Sequence, residues 1–339
     1  MALAPDSTGY RQPRAAWRVV LDGRDLTQRF APLLVSLRLS ERSGEEADEL
    51  EIVLDDSAQN VALPPEGAVL HVALGWERGT DVPLGLVSKG SFTVDEVSWS
   101  GPPDQVAIRA RSANLAGSYR RRENRVWQDT TLGAIVLDIA SAQGLTPRCH
   151  TALQETVIAA AEQAGKSPMQ FLRDLGRRYD ATASVKGGAL IFTPRGARTT
   201  ATGAAIPAQS IARSQCVNAS WRRAARSGAQ DGAEAQWHDG NAATRKTVTV
   251  GGENRKRLKR VYASEADARA AAEAEAARLG RAIATLDLDL AFGDPRLAPG
   301  MRITATGFKT GVDGSGWLIA TADHAMDDRG LSTRLTLES

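Results

Sequence analysis

Short stretches in which apolar and polar residues alternate occupy the first third of the chain and return near its end. Val19 and Leu21 lie two residues apart between Arg18 and Asp22, and Leu50, Ile52 and Leu54 repeat the same spacing. Successive side chains on a β-strand point to opposite faces of a sheet, so this period of two predicts half-buried strands. Turn residues separate the stretches, which is typical of a β-barrel or a β-sandwich.

One hairpin is especially clear in the segment 98–112, which reads SWSGPPDQVAIRARS. A strand ends at Trp99, the Gly-Pro-Pro-Asp sequence turns the chain, and Val106, Ile108 and Ala110 alternate with polar residues on the returning strand. Such a hairpin either carries chemistry or forms one strand pair of a larger β structure. The internal repeat described below favours the second interpretation.

The pattern changes to a helical period between residues 119 and 196. The run Asp129-Thr130-Thr131 can cap a helix that carries Leu132, Ile135, Val136 and Ile139 on one face. The segment 167–170, Ser-Pro-Met-Gln, supplies a capping serine, a proline at the first helical position and a capping-box glutamine. A tight hairpin is predicted over 181–192. This segment therefore predicts a small α+β domain.

A linker rich in threonine, alanine, glycine and proline follows over 197–212, and β patterns then return. They are interrupted by a helix predicted over 264–281, whose apolar surface is almost entirely alanine. Small side chains suit a helix that lies close against another backbone. From Thr285 the β pattern continues to the last residue.

Two β segments more than two hundred residues apart share one order of features: Pro-Gly, a strand, a glycine-aromatic pair, and a hairpin. The glycine-aromatic pairs align at an offset of 232 residues, from Gly75 to Gly307, and the hairpins at 225, from Phe92 to Trp317. The second offset aligns Phe92 with Trp317, Val94 with Ile319, Trp99 with His324, Val106 with Leu331 and Arg109 with Arg334. The recurrence predicts two related β domains.

The predicted fold class is therefore mainly β with an α+β insert, in which two β-barrel domains flank a small α+β domain. The predicted divisions are a flexible arm (1–15), the first β-barrel domain (16–118), the α+β domain (119–196), the linker (197–212) and the second β-barrel domain (213–339), which includes the helix 264–281.

Composition and charge exclude several classes of function. With 42 basic and 40 acidic residues the net charge is +2, so no overall field favours nucleic acid or an anionic membrane. The first ten residues lack the features of a secretory signal peptide, and no apolar stretch approaches the length of a membrane span. Cys149 and Cys216 do not make a disulfide framework, which indicates a reducing cytoplasm as the site of assembly.

No motif for catalysis, cofactor binding or metal binding is convincing, and no such residues are predicted. The four histidines, His71, His150, His238 and His324, lack metal-site spacing, and Cys149 and His150 are adjacent, which suits chelation poorly. Gly314-Ser315-Gly316 lacks the full nucleophile-elbow pattern. The acidic run 45–49 is typical of a solvated loop, although a pair of carboxylates that meets only in space stays open.

Two basic clusters, 120–125 and 255–260, could contact phosphate but lack interleaved aromatic residues for base stacking. A solvated face or a charged contact with a partner is the simpler interpretation. Trp17, Trp76, Trp99 and Trp317 lie in strand patterns, which favours core packing over sugar stacking or interface anchoring. The alternative function left open is a peptidoglycan-directed hydrolase or a carbohydrate-binding module.

The segment 92–145 resembles the signature region of the phage late control protein D family, the tail hub proteins of contractile-tailed bacteriophages. The points of similarity are the Ser-Gly-Pro-Pro-Asp turn, the strand Arg-Ala-Arg-Ser (109–112) and the segment 127–133, Trp-Gln-Asp-Thr-Thr-Leu-Gly. The C-terminal run from Gly293 through Trp317 to His324 is similar to the ending of that family.

The resemblance implies a non-enzymatic homotrimer with two tube-like β-barrels per chain. These would form a pseudo-sixfold ring that joins a hexameric tail tube to a trimeric central spike. The hub portion of type VI secretion spike proteins is built alike. Implied partners are the spike, the tail tube or a tube-initiator protein, other baseplate proteins and the tape measure protein. Stable binding to nucleic acid or membrane is not expected. The implied location is a virion or tailocin particle, assembled in the cytoplasm of the bacterial host.

Overall fold

The computed structural model describes residues 10–42, 47–112, 122–186, 188–206, 209–223, 230–240, 242–281, 284–314 and 316–339. Residues 1–9 of the predicted arm lie outside the described residues. So do Glu45 and Glu46 of the acidic run, Arg120 and Arg121 of the first basic cluster, and Ser315.

In its described residues the first β unit contains seven strands and one short helix, α1 (Thr27–Phe30). The strands are β1 (Arg14–Leu21), β2 (Arg24–Asp25), β3 (Leu34–Arg42), β4 (Glu49–Asp55), β5 (Val69–Arg78), β6 (Gly85–Ser100) and β7 (Gln105–Ser112). The alternating residues that predicted them, including Leu50, Ile52 and Leu54, are buried in one core. Burial of this apolar surface is the main favourable term in the stability of the unit.

The middle unit contains the predicted α+β arrangement. Its elements are β8 (Glu123–Thr131), α2 (Leu132–Ala142), β9 (Thr146–Cys149), α3 (Thr151–Gln154), β10 (Val157–Lys166), α4 (Pro168–Arg178), β11 (Ala181–Lys186) and β12 (Ala189–Pro194). The hydroxyl of Thr131 accepts a hydrogen bond from the amide of Ala134, and that of Ser167 from the amide of Gln170. The predicted cap at Ser167 is therefore confirmed, and within the predicted run 129–131 the capping residue is Thr131.

The last third of the chain holds a second β unit and an insert. The strands of the unit are β13 (Gln209–Ala212), β14 (Cys216–Arg223), β18 (Ala284–Leu290), β19 (Arg302–Thr306), β20 (Gly316–Asp327) and β21 (Gly330–Glu338). The insert lies between β14 and β18. It consists of β15 (Gly232–Asp239), β16 (Thr244–Gly251), β17 (Arg255–Tyr262) and α5 (Glu265–Arg281).

The alanine-rich helix lies in this insert, within the range 213–339 in which the sequence predicted it. Alanines of α5 pack against Ala233 and Ala235 of β15 in a separate core. The helix also contacts the middle unit, because the carboxylate of Asp267 accepts a hydrogen bond from the hydroxyl of Tyr179 at 2.7 Å. The strands around the helix are local neighbours, so pairing among themselves is cheaper than joining a distant sheet.

The two β units share one large sheet, which confirms the predicted mainly β class. Its strand order is β14-β18-β21-β20-β3-β4-β7-β6-β5-β1-β2, and β19 pairs with β13 and β20. Among the described residues, the strand pairings do not close either unit into a barrel. No helix in the described ranges is both long enough and apolar enough to cross a membrane.

Candidate functional site

The two β units repeat each other at the level of single hydrogen bonds. The amide of Gly67 donates to the carbonyl oxygen of Val94 at 2.9 Å, and that of Gly300 to the carbonyl oxygen of Ile319 at 2.8 Å. Both glycines have left-handed backbone angles, with φ of 83° and 86°, a conformation that favours glycine. Val94 and Ile319 are the residues that the offset of 225 aligns, so the predicted repeat is confirmed.

Strand order and irregularities repeat as well. The order β4-β7-β6-β5 in the first unit matches β18-β21-β20-β19 in the second, with β3 and β14 as the flanking strands. A bulge follows Val94 in β6 and Ile319 in β20. A second bulge follows Leu34 in β3 and Cys216 in β14. Because a bulge shifts the alternation of faces, matching bulges keep equivalent residues on equivalent faces.

One part of the sequence alignment is wrong by two residues. Val94 lies opposite Ala110, and Ile319 lies opposite Leu337, so the returning strands align at an offset of 227. The reason is the turn: Ser100 pairs with Gln105 in the first hairpin, whereas the second continues until Asp327 pairs with Gly330. The predicted matches of Val106 with Leu331 and of Arg109 with Arg334 therefore do not hold.

The two units meet edge to edge along β3 and β20, and we call this pairing the internal seam. The first half of β20 pairs with β19, and its second half pairs with β3, where Leu39 lies opposite His324. Ser40 donates a hydrogen bond to the carboxylate of Asp323 at 2.6 Å. The hairpin β20–β21 also places Met326 and Leu331 in the core of the first unit.

Buried charged groups lie at the internal seam. The Lys89 ammonium is 2.5 Å from the Glu41 carboxylate, and both side chains are 3% exposed. His324 approaches the same carboxylate at 3.2 Å through Nε2, while its Nδ1 lies 2.8 Å from the Thr333 hydroxyl. Burial lowers the pKa of His324, because an imidazolium loses hydration in the interior. Lys89 therefore supplies a neutralising charge to Glu41.

Two of the tryptophans occupy the positions that the sequence predicted for core residues. Trp76 donates from its indole nitrogen to the carbonyl oxygen of Gly293 at 2.8 Å, which links the two units, and Trp317 is fully buried. Neither is available for stacking on a sugar. Trp99 departs from the prediction, since 53% of its surface is exposed. It lies beyond the end of the β5–β6 pairing, where no strand covers it in the described part of the chain.

Among the strand edges that are unpaired within the described ranges, two in the large sheet belong to β6 and β14. Residues 96–100 of β6 pair only with β7, and β14 pairs only with β18. We call them the β6 edge and the β14 edge. Each carries an exposed tryptophan: Trp99, and Trp221 with 42% of its surface exposed. Unpaired edges that display large apolar residues are templates for pairing with another strand.

The histidines that could serve as metal ligands or catalytic groups lie on separate elements. His71 is on β5, His150 precedes α3 and accepts a hydrogen bond from the Ala152 amide, and His238 is on β15. Among the described residues there is no group of three or more side chains that could hold a metal ion. Burial raises the pKa of the Cys149 thiol to about 11 and also raises that of Cys216. Neither environment activates a thiolate.

Several described residues of the basic clusters contact carboxylates or aromatic rings. Arg125 is 2.5 Å from Asp138 and lies over the Trp127 ring. In the second cluster Lys256 is 2.7 Å from Glu275, within the insert. These contacts agree with the simpler of the two interpretations, that of charged faces.

Sequence reasoning missed the buried charges at the internal seam. The signal was present, since Glu41 follows Leu37 and Leu39 at a spacing of two and so falls on the buried face of β3. A carboxylate at a core position predicts a buried cation nearby. Its partner could not be named, because Lys89 and His324 are distant in the sequence.

A protein-family model described as phage tail baseplate hub (GPD) matches residues 49–330. The chain is 33% identical over 365 residues to the probable baseplate hub protein of Escherichia phage 186, covering 95% of this chain and 92% of that protein. It is 34% identical over 363 residues to the probable baseplate hub protein of Escherichia phage P2, with coverage of 95% and 92%.

Two solved structures share the fold. A tail protein from Neisseria meningitidis MC58 has a TM-score of 0.69 at 12% identity, covering 96% of this chain and 97% of that chain. A component of the type VI secretion system of E. coli has a TM-score of 0.55 at 13% identity, covering 90% and 73%. At these identities the matches establish a common fold.

Proposed function

Because this chain belongs to the phage tail baseplate hub family, we propose that three copies of it form the hub ring of a contractile tail baseplate. Each chain brings two β units that repeat each other, so three chains place six similar units around one axis. The first β unit (16–118) and the second (213–339, without its insert) would build the ring. The middle unit, joined to the insert through Asp267, would lie beside it.

The observation that carries this proposal is the internal seam. Two copies of one unit within a chain are joined edge to edge through β3 and β20. A contact between equivalent units that uses different surfaces on each is heterologous, and repeated it gives a closed ring or an open filament. Six units joined in this way form a ring with sixfold resemblance but threefold symmetry.

Such a ring suits a junction between assemblies of different symmetry. Its six β units offer matching positions to a hexameric tail tube or a tube-initiator protein, and its three chains offer matching positions to a trimeric central spike. Other baseplate proteins and the tape measure protein complete the proposed partners. The particle would be a virion or a tailocin assembled in the host cytoplasm, and the role of the chain there is structural.

The mass of the purified chain in solution tests this function, measured by light scattering alone and with the candidate spike protein. A mass near three times 36.1 kDa, or a complex of three chains with three spike chains, supports the hub ring. A chain that stays monomeric with and without the spike would overturn it.

A further inference from the structure

We propose that the β6 edge of one copy pairs with the β14 edge of the next copy, in the register of the internal seam. The occupant of each edge is thus a second copy of this chain. The inference rests on the proposed ring and adds the two strands, and the residues within them, that hold its chains together.

The internal seam supplies the register. Strand β20 aligns with β6 at the offset of 225, which the bulges after Val94 and Ile319 fix. Strand β3 aligns with β14 at an offset of 182, from Leu34 to Cys216, which the second pair of bulges fixes. Subtracting 225 from the number of a β20 residue gives its equivalent on β6, and adding 182 to the number of a β3 residue gives its equivalent on β14. The residue pairs of the internal seam thereby predict the residue pairs between two copies.

The central pair of the internal seam is His324 opposite Leu39. Its equivalent between copies is Trp99 opposite Trp221. His324 and Leu39 are at most 1% exposed, whereas Trp99 and Trp221 are 53% and 42% exposed in the single chain. The two tryptophans are therefore exposed in the single chain, whereas the equivalent residues of the internal seam are buried by the pairing of β20 with β3. Pairing would bury both, and cross-strand aromatic pairs stabilise sheets.

The polar face of the same contact is also complementary. Ser98 takes the position of Asp323 and Arg222 that of Ser40, so these two residues lie opposite each other. Glu96 is two residues before Ser98 on the same face, which puts its carboxylate diagonal to the Arg222 guanidinium. Diagonal neighbours across strands are within reach of long side chains. The opposite charges favour this register over slipped ones.

A second copy is the occupant because one chain carries both halves of the contact. The β6–β7 hairpin corresponds to the β20–β21 hairpin, which extends into the core of the neighbouring unit through Met326 and Leu331. The β14 edge corresponds to the β3 edge that receives it. Each copy thus presents one donating and one receiving edge, as a ring requires.

Paired cysteine substitutions test the register. Ser100 and Ser220 occupy the positions of Ala325 and Arg38, which lie opposite each other in the internal seam. The double variant Ser100→Cys/Ser220→Cys should form intermolecular disulfides under mild oxidation. Non-reducing gels should then show a covalent trimer and no larger crosslinked oligomers. The control Ser98→Cys/Asn218→Cys places its two thiols four residues out of register, beyond disulfide reach. The two single variants show whether Cys149 or Cys216 takes part.

The outcomes separate the inference from the proposed function. A covalent trimer from the first pair and none from the control supports the register. A trimer in solution that crosslinks through neither pair, or equally through both, overturns the pairing and leaves the ring. A disulfide from these edges to a co-purified spike or tube protein, in place of a second copy, also overturns it. A monomer would refute both the pairing and the ring.

Discussion

Lys89 and Glu41 form a buried ion pair between β6 and β3, two strands that are not neighbours in the sheet. Their side chains meet because the sheet brings the two strands together across the core, next to the strand that the second unit contributes. The charge of Glu41 is therefore neutralised from within the first unit, at the place where the two units join.

Replacing Lys89 with methionine should destabilise the chain by about 3–5 kcal/mol, because it removes the ammonium that lies 2.5 Å from a buried carboxylate. The double variant Lys89→Met/Glu41→Gln should recover most of that loss, since the uncompensated charge is gone. Chemical denaturation at one fixed protein concentration measures both. Equal stability of Lys89→Met and the unsubstituted chain would contradict the buried pair as a stabilising contact.

The matched glycines at the start of the repeat should respond alike to substitution. Gly67→Ala and Gly300→Ala should each cost about 1–2 kcal/mol, because an added Cβ is strained at φ above 80° even though nothing lies within 4 Å of either site. Gly280→Ala, in α5 with equally open space, is the control and should cause no loss. If only one of the two repeat glycines were sensitive, the hydrogen-bond repeat would not explain both conformations.

Acid should weaken the contact that Glu275 makes within the insert. A hydrogen bond from Arg278, followed by one from Lys256, lowers the pKa of Glu275 from 4.5 to about 2. A carboxylate whose pKa is lower in the folded chain stabilises it above the unfolded pKa, and this contribution is lost as the pH falls from about 4.5 toward 2. Glu275→Gln should therefore lower the melting temperature at pH 7 and less so at pH 3. A decrease in melting temperature that is equal at pH 7 and pH 3 would contradict the lowered pKa of Glu275.

The proposed Trp99–Trp221 pair should appear as coupling between the two residues in a double-mutant cycle. Trp99→Ala and Trp221→Ala should each weaken trimer formation at least tenfold, since buried tryptophans dominate many interfaces. The loss in the free energy of trimer formation should be smaller in the double variant than the sum of the two single losses, because the second substitution removes a contact already broken. Val126→Ala, at an exposed apolar residue of the middle unit, is the control. Strictly additive losses would contradict a direct pair.

The features that the sequence predicted correctly are those with local causes. The caps at Thr131 and Ser167, the hairpin after α4 and the bounds of α5 each depend on residues within a few positions of one another. The repeat was found because its order of features survives in the sequence. Its returning strand was misaligned because turn length is set by backbone geometry that residue types do not fix.

Features that depend on distant partners could not be predicted. Strict alternation from Phe92 and Val94 would put Trp99 on the outer face of β6, and only the bulge after Val94 places it opposite Val106 on the core face. The sequence reveals neither this bulge nor whether another strand pairs with that edge. The internal seam joins Ser40 to Asp323, 283 residues apart, and nothing local to either residue names the other. The alanines of α5 likewise predicted that the helix packs closely against another backbone, but they did not identify β15 as the strand that it contacts.

The internal seam also sets an order of events. Its two strands belong to one polypeptide, so their effective concentration is fixed by the chain and the seam closes during folding at any dilution. The equivalent contact between copies has no such tether, and its rate must rise with the number of chains that have accumulated. In the proposed ring, half of the contacts between β units thus form within each chain as it folds, and the other half depend on the concentration of chains. The ring would then appear late, when enough protein is present to begin many particles together.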